Sequence, residues 1–205
     1  MEDSGDEPVV WSSRFAAGCA LLVFGWLASI ELGSSRTASR QAAGKDEGEK
    51  VVDTTTSRRF DLAAAVHFLV GIGASVLIPA TTIRQRRTGY AGGLALLVAS
   101  GLLSGAARRH LGRFHRDSLT VHDGQILIDT GPYQHVRHPL YLATAGTAVG
   151  SGAVLGNWVS VGTASLPIAA LVHRISVEEQ MLVQHLGVPY SDYQCRTARL
   201  LPKIW

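Results

Sequence analysis

Gly131-Pro132-Tyr133-Gln134-His135-Val136-Arg137-His138-Pro139-Leu140-Tyr141 sets basic and aromatic groups directly against the start of an apolar run. A proline fits the first turn of a helix, where its missing N–H has no partner to lose, so Pro139 predicts a helix opening at that point. Downstream, Arg174-Ile175-Ser176-Val177-Glu178-Glu179 puts an arginine and two carboxylates just after the last apolar segment. Charged and aromatic groups held at the ends of hydrophobic helices point to an α-helical membrane protein with chemistry at the membrane surface.

The rest of the chain agrees with that reading. It has 205 residues, 46% of them apolar, and 22 glycines, enough for one domain and rich in the small residues that membrane helices favour. The mean hydropathy of only +0.16 reflects polar stretches near 1–10, 34–60 and 108–138 that dilute several apolar segments. Five apolar runs stand out, about 15–32, 61–83, 90–107, 139–155 and 158–173. A membrane span needs roughly 20 apolar residues, with roughly 17 as the lower limit. The last two runs are short, and Gly156-Asn157 between them reads as the break of a tight helical hairpin. The fold class expected is all-α, polytopic, with about five transmembrane helices and a cytoplasmic cofactor pocket formed by the 108–141 region and the C-terminal helix.

Charge sets the expected orientation. With the N-terminus outside, 15 of the 19 lysines and arginines fall on the inner side, which favours N-out and C-in; Arg14, Arg84, Arg86 and Arg87 fall outside. Both chemical clusters, 108–141 and 174–193, then face the cytoplasm, where soluble cofactors are available. The acidic start, Glu2, Asp3, Asp6 and Glu7, lacks the positive segment of a signal peptide, so 1–14 reads as a disordered tail and the first apolar run as a retained anchor. Residues 34–58, rich in Ser, Thr, Lys and Glu, read as a flexible connector without chemistry, inside a single domain spanning 15–205 whose catalytic portion is 108–205. Val121 to Ile128, with Asp123-Gly124 inside it, fits either a short hairpin or an irregular excursion.

Several features carry structural expectations only. Gly101 and Gly105, Gly146 and Gly150, and Gly152 and Gly156 stand four apart, a spacing that lets helices approach closely. Cys19 and Cys195 make neither a disulfide framework nor a Cys-rich metal site, and both read as structural. His110, His115, His122 and His135 lack the cysteine or carboxylate partners of a metal centre, so no metal is expected. Tyr190 and Tyr193 read as interfacial anchors. Arg174 and Glu178, four apart, share one face of a helix continuing from the fifth apolar run. They fit either one pocket or an ordinary surface ion pair, the latter contributing only a few tenths of a kcal/mol.

Taken in order, Gln125-Ile126-Leu127-Ile128, Gly131-Pro132-Tyr133, Arg137-His138-Pro139 and Tyr141, then Arg174, Glu178, Glu179, Gly187, Tyr190, Tyr193 and Leu201-Pro202, resemble the isoprenylcysteine carboxyl methyltransferase family over roughly 108–205. The resemblance implies a membrane-embedded methyltransferase using S-adenosylmethionine without a soluble dinucleotide-type fold, and the chain has no glycine-rich βαβ pattern. It further implies cofactor contacts from Gln125, Ile126, Leu127, Ile128, Tyr133, His138, Pro139, Leu140, Tyr141 and Glu178, with Arg174 facing the substrate as the catalytic residue. Gln125 stands where relatives often carry histidine, and Ser118 where they carry an amide; Val177 shortens the acidic run of some relatives to two carboxylates.

The residue chemistry suits those roles. The cofactor combines a sulfonium, an ammonium, a carboxylate and an adenine. Tyr133 or Tyr141 suits the sulfonium or the adenine, at about 0.5–2 kcal/mol for a cation–aromatic contact, Glu178 the ammonium or ribose hydroxyls, and His138 the carboxylate. The expected reaction is methyl transfer to the carboxylate of a prenylated cysteine or a related lipophilic acid. Its partners are a prenylated protein C-terminus or small lipophilic acid and membrane lipid, with no nucleic acid. The host membrane expected is the endoplasmic reticulum in a eukaryote or the plasma membrane in a prokaryote. Two other readings stay open: methylation of an amine, as in membrane phospholipid methyltransferases, and a non-catalytic membrane scaffold with a vestigial pocket.

Overall fold

The computed structural model describes residues 50–78, 86–112, 119–121 and 127–202. A short strand, β1 (Lys50–Asp53), leads into α1 (Thr54–Leu77); α2 (Arg86–Leu111) follows, then β2 (Leu119–Val121). A single 3-10 turn (Gly131–Gln134) precedes α3 (Pro139–Val154), α4 (Trp158–Thr163), α5 (Ser165–Leu186) and α6 (Val188–Arg196). The first apolar run, 15–32, lies outside the described residues, as do residues 34–49.

The helices stack by small residues. Backbone passes so close to backbone where α2 crosses α3 that a Cβ on Gly93 would lie 2.8 Å from the Gly150 carbonyl oxygen, and one on Gly150 would lie 3.0 Å from the Gly93 oxygen. Gly146 and Gly150 therefore act as the spacing predicts, Gly150 against Gly93 and Gly146 against Ser100, whereas a Cβ on Gly105 meets nothing. The break predicted at Gly156-Asn157 is present: Gly156 takes φ +66°, and the Asn157 side chain caps α4 by accepting from the Val159 N–H at 2.8 Å. Asn157 also donates to the Ala74 carbonyl at 3.1 Å, tying the hairpin to α1.

A buried polar seam joins α1 to α3 and α4. His67 hydrogen-bonds Thr163 at 2.9 Å and Ser151 at 3.2 Å, and Ser160 donates to the Gly71 carbonyl at 2.9 Å. Away from water such groups must find partners within the protein, and these do. The outer faces carry the opposite character. Leu62, Leu69, Leu77, Val98, Leu102 and Trp158 are all more than half exposed, an apolar surface far better matched to hydrocarbon than to water. Two stretches, Thr88–Leu111 and Trp158–Leu186, are long and apolar enough to cross a membrane.

The structure corrects several expectations. The fold is mostly rather than wholly helical, because β1 pairs antiparallel with β2. Leu119–Val121 finds its partner in Lys50–Asp53, while most of the stretch from Val121 to Ile128, residues 122–126, lies outside the described residues. The connector expected over 34–58 is ordered in its last part: α1 begins at Thr54, seven residues before the apolar run, because polar Thr54 to Arg59 continue the helix toward the end where charge collects. The run at 158–173 is interrupted at Ala164, and α5 then continues to Leu186, well past the apolar stretch.

Candidate active site

The start of α1, the start of α3 and the polar part of α5 meet at one end of the bundle, each contributing a charged or hydroxyl group there, and the end of α2 packs its His110 ring beneath the turn before α3. The turn before α3 is held by close contact. Gly131 has φ +60°, and a Cβ there would fall 2.3 Å from Nε2 of His110, whose ring is anchored by Nδ1 to the Ala106 carbonyl at 2.9 Å. Only glycine accommodates both the left-handed backbone and the ring. The turn buries Tyr133 and brings the chain to Pro139, which opens α3 as its sequence predicts.

Behind the turn lies a buried ion cluster. Glu179, 3% exposed, accepts from Arg137 Nε at 2.8 Å and Arg199 Nε at 2.9 Å, and pairs with His138 Nε2 at 3.3 Å. The same segments are joined by backbone: the Arg137 N–H donates to the Ala198 carbonyl at 2.8 Å and the His138 N–H to the Arg199 carbonyl at 3.1 Å. Arg137 also donates to the Gln194 carbonyl at 3.0 Å and to the Thr197 carbonyl. The residues after α6 are thereby stitched alongside the motif that starts α3.

In front of that cluster sits a second network centred on Tyr141. Its hydroxyl donates to Glu178 Oε2 at 2.6 Å and accepts from Arg174 Nε at 2.9 Å. Arg174 is buried, its guanidinium carbon 5.7 Å from the Tyr141 ring centroid, and its Nη1 donates to Ser57 Oγ at 3.1 Å. The His138 ring stacks on Tyr141 with centroids 5.5 Å apart and planes 17° from parallel. A surface ion pair does not describe Arg174 and Glu178: burial and a shared tyrosine hydroxyl join them into one site.

The tyrosines around it stay protonated. Burial, reinforced by Glu178, pushes the Tyr133 phenol far up, and burial with Glu179 and Glu178 does the same to Tyr190. Tyr193 is pushed up to about 12, chiefly by burial. Tyr190 and Tyr193 are not interfacial anchors: they are 3% and 2% exposed, and the Tyr193 hydroxyl donates to the Tyr133 carbonyl.

Of the residues singled out in the sequence, Tyr133, His138, Tyr141, Arg174 and Glu178 are brought together, with Pro139 fully buried and Leu140 half-buried beside them. Leu127 and Ile128 are half-buried where the chain enters the 3-10 turn, while Gln125, Ile126 and Ser118 lie outside the described residues. His138, expected to face a carboxylate of the cofactor, has its Nε2 turned to Glu179. Missed were Ser57, placed in an expected connector, and Arg137, Glu179 and Arg199 as a supporting cluster. The adjacent pair Glu178-Glu179 was the available signal, since neighbours on a helix point in different directions and two carboxylates there serve different surroundings. Among the described residues no group of histidine, cysteine and carboxylate side chains is placed to hold a metal, and Cys195 is free and exposed.

Apolar outer faces, a polar seam in the interior and a charged site at one end go with two stretches long and apolar enough to cross a membrane. Residues 93–184, which hold Tyr133, Tyr141, Arg174 and both carboxylates, match the isoprenylcysteine carboxyl methyltransferase (ICMT) family. The chain is 32% identical over 109 residues to the protein-S-isoprenylcysteine O-methyltransferase of Schizosaccharomyces pombe, covering 46% of each chain. It is also 35% identical over 75 residues to that of Dictyostelium discoideum, covering 35% of this chain and 31% of the relative. The chain thus spans less than half the length of either relative. The fold is similar to the structure of the eukaryotic intramembrane Ras methyltransferase ICMT, with a TM-score of 0.71 at 19% identity over 96% of this chain and 70% of that one.

Proposed function

We propose that this chain transfers a methyl group from S-adenosylmethionine to the carboxylate of a prenylated cysteine, or of a related lipophilic acid, at the cytoplasmic face of a membrane. The observation that carries the reading is the Arg174–Tyr141–Glu178 network: one phenol couples a buried cation suited to an acceptor carboxylate with a half-buried carboxylate suited to a cationic donor. The donor set fits S-adenosylmethionine, with Glu178 for its ammonium or ribose hydroxyls, and Tyr133 and Tyr141 for its flat or cationic parts. When bound, that cofactor supplies an electrophilic methyl group on a sulfonium.

The chain's own residues supply positioning. An acceptor carboxylate is ionised near neutral pH, so it needs no general base. Arg174 would orient it, and Tyr141, held from both sides, would keep Arg174 and Glu178 at fixed separation. Fixing reactants in line converts a bimolecular encounter into an effectively unimolecular one. The apolar flanks concentrate the substrate, since burying a prenyl tail contributes roughly 0.8 kcal/mol per carbon. The positive-inside count, 15 of 19 basic residues, supports a cytoplasmic site.

The test is transfer of radiolabelled methyl from S-adenosylmethionine to N-acetyl-S-farnesylcysteine by protein purified in lipid, with Arg174→Ala alongside. The expected result is transfer by the native chain, lost in the variant while cofactor binding survives. Transfer to an ethanolamine lipid instead would make it an amine methyltransferase, and a folded chain that binds no cofactor would make it a scaffold.

A further inference from the structure

We propose that Ser57, on α1, is a positioning residue for Arg174 and so a determinant of carboxylate recognition; this rests on Arg174 facing the acceptor. Ser57 lies outside the 93–184 segment matched by the family and comes from a helix that packs against α5. Its hydroxyl accepts from Arg174 Nη1 at 3.1 Å, while Tyr141, on α3, accepts from Arg174 Nε at 2.9 Å. The guanidinium is therefore anchored from two different helices through two of its nitrogens.

The geometry matters because a guanidinium is planar, and two parallel N–H bonds to a carboxylate form only when both groups share a plane. Tyr141 fixes one nitrogen of that plane. The hydroxyl of Ser57 fixes a second, from another helix, and so sets the tilt of the plane about the first contact. Threonine supplies the same hydroxyl on the same β-carbon; alanine supplies none, and as the better helix former leaves α1 intact.

Acceptor kinetics separate this role from a structural one. In lipid-reconstituted protein, Ser57→Ala should raise the KM for N-acetyl-S-farnesylcysteine about tenfold, equivalent to about 1.4 kcal/mol. The KM for S-adenosylmethionine should stay within about twofold, as should inhibition by the carboxamide of the same acceptor, which keeps the tail and lacks the charge. Ser57→Thr should restore the native KM. An unchanged acceptor KM, equal weakening of acid and amide, or a threonine variant as poor as alanine would each overturn the proposal. No transfer by the native chain would instead overturn the reading beneath it.

Discussion

At Tyr141 a single phenolic oxygen both accepts from a guanidinium and donates to a carboxylate. Hydrogen bonds to charged groups contribute about 1.5–3 kcal/mol each, so Tyr141→Phe should lower kcat/KM by roughly 10- to 100-fold. Because the same two bonds also hold the folded state while the ring and its stacking on His138 remain, a moderate fall in melting temperature should accompany the kinetic loss; steady-state kinetics beside a thermal scan checks both. Glu178→Ala should act differently, weakening cofactor affinity in a direct titration with little change in acceptor KM. The sequence made Arg174, Tyr141 and Glu178 legible because their residue types and their spacing on helices both constrain them. Ser57 was not legible: a serine among threonines and arginines carries no period, and only the packing of α1 on α5 gives it a partner.

Among elements, α3 is fixed at both ends by unlike means. At its start, Glu179 gathers Arg137, His138 and Arg199 in a buried cluster. Removing one partner of a buried pair leaves the other charge uncompensated at about 3–5 kcal/mol. Glu179→Ala should therefore cost stability of that order, seen as a fall in thermal or denaturant midpoint in detergent. At its other end the constraint is steric. Gly93→Leu would drive a side chain into Gly150 and Val154 backbone, so helix separation and loss of folded yield are expected, measurable by size-exclusion chromatography. The glycine spacing on α3 announced a close approach, but spacing on one helix does not name the partner helix, and the equal spacing of Gly89 and Gly93 on α2 was passed over. The helix at Thr54 was hidden for a related reason: apolar periodicity marks what faces lipid or core, and a polar first turn has none.

Across the molecule, the described residues sort their chemistry to one end and their apolar surface to the flanks. Cys195, free and exposed on α6 near that end, reports the orientation. In a Cys19→Ser background, a membrane-impermeant thiol reagent should label Cys195 from the cytoplasmic side only; labelling from the outer side of sealed vesicles would reverse the orientation. The basic residues that predict this arrangement are legible as a simple count. What the count does not contain is which of them turn inward, as Arg137 and Arg174 do, to become the interior of a site.

The three partners of Glu179 also impose a timetable. Arg137 precedes it by 42 residues and Arg199 follows it by 20. At about 5–20 residues per second, α5 waits on the order of seconds during synthesis with its carboxylate half-neutralised. Until Arg199 leaves the ribosome, water must stand in for it, so a chain that stops short of Arg199 keeps a hydrated carboxylate where the finished fold has a dry one.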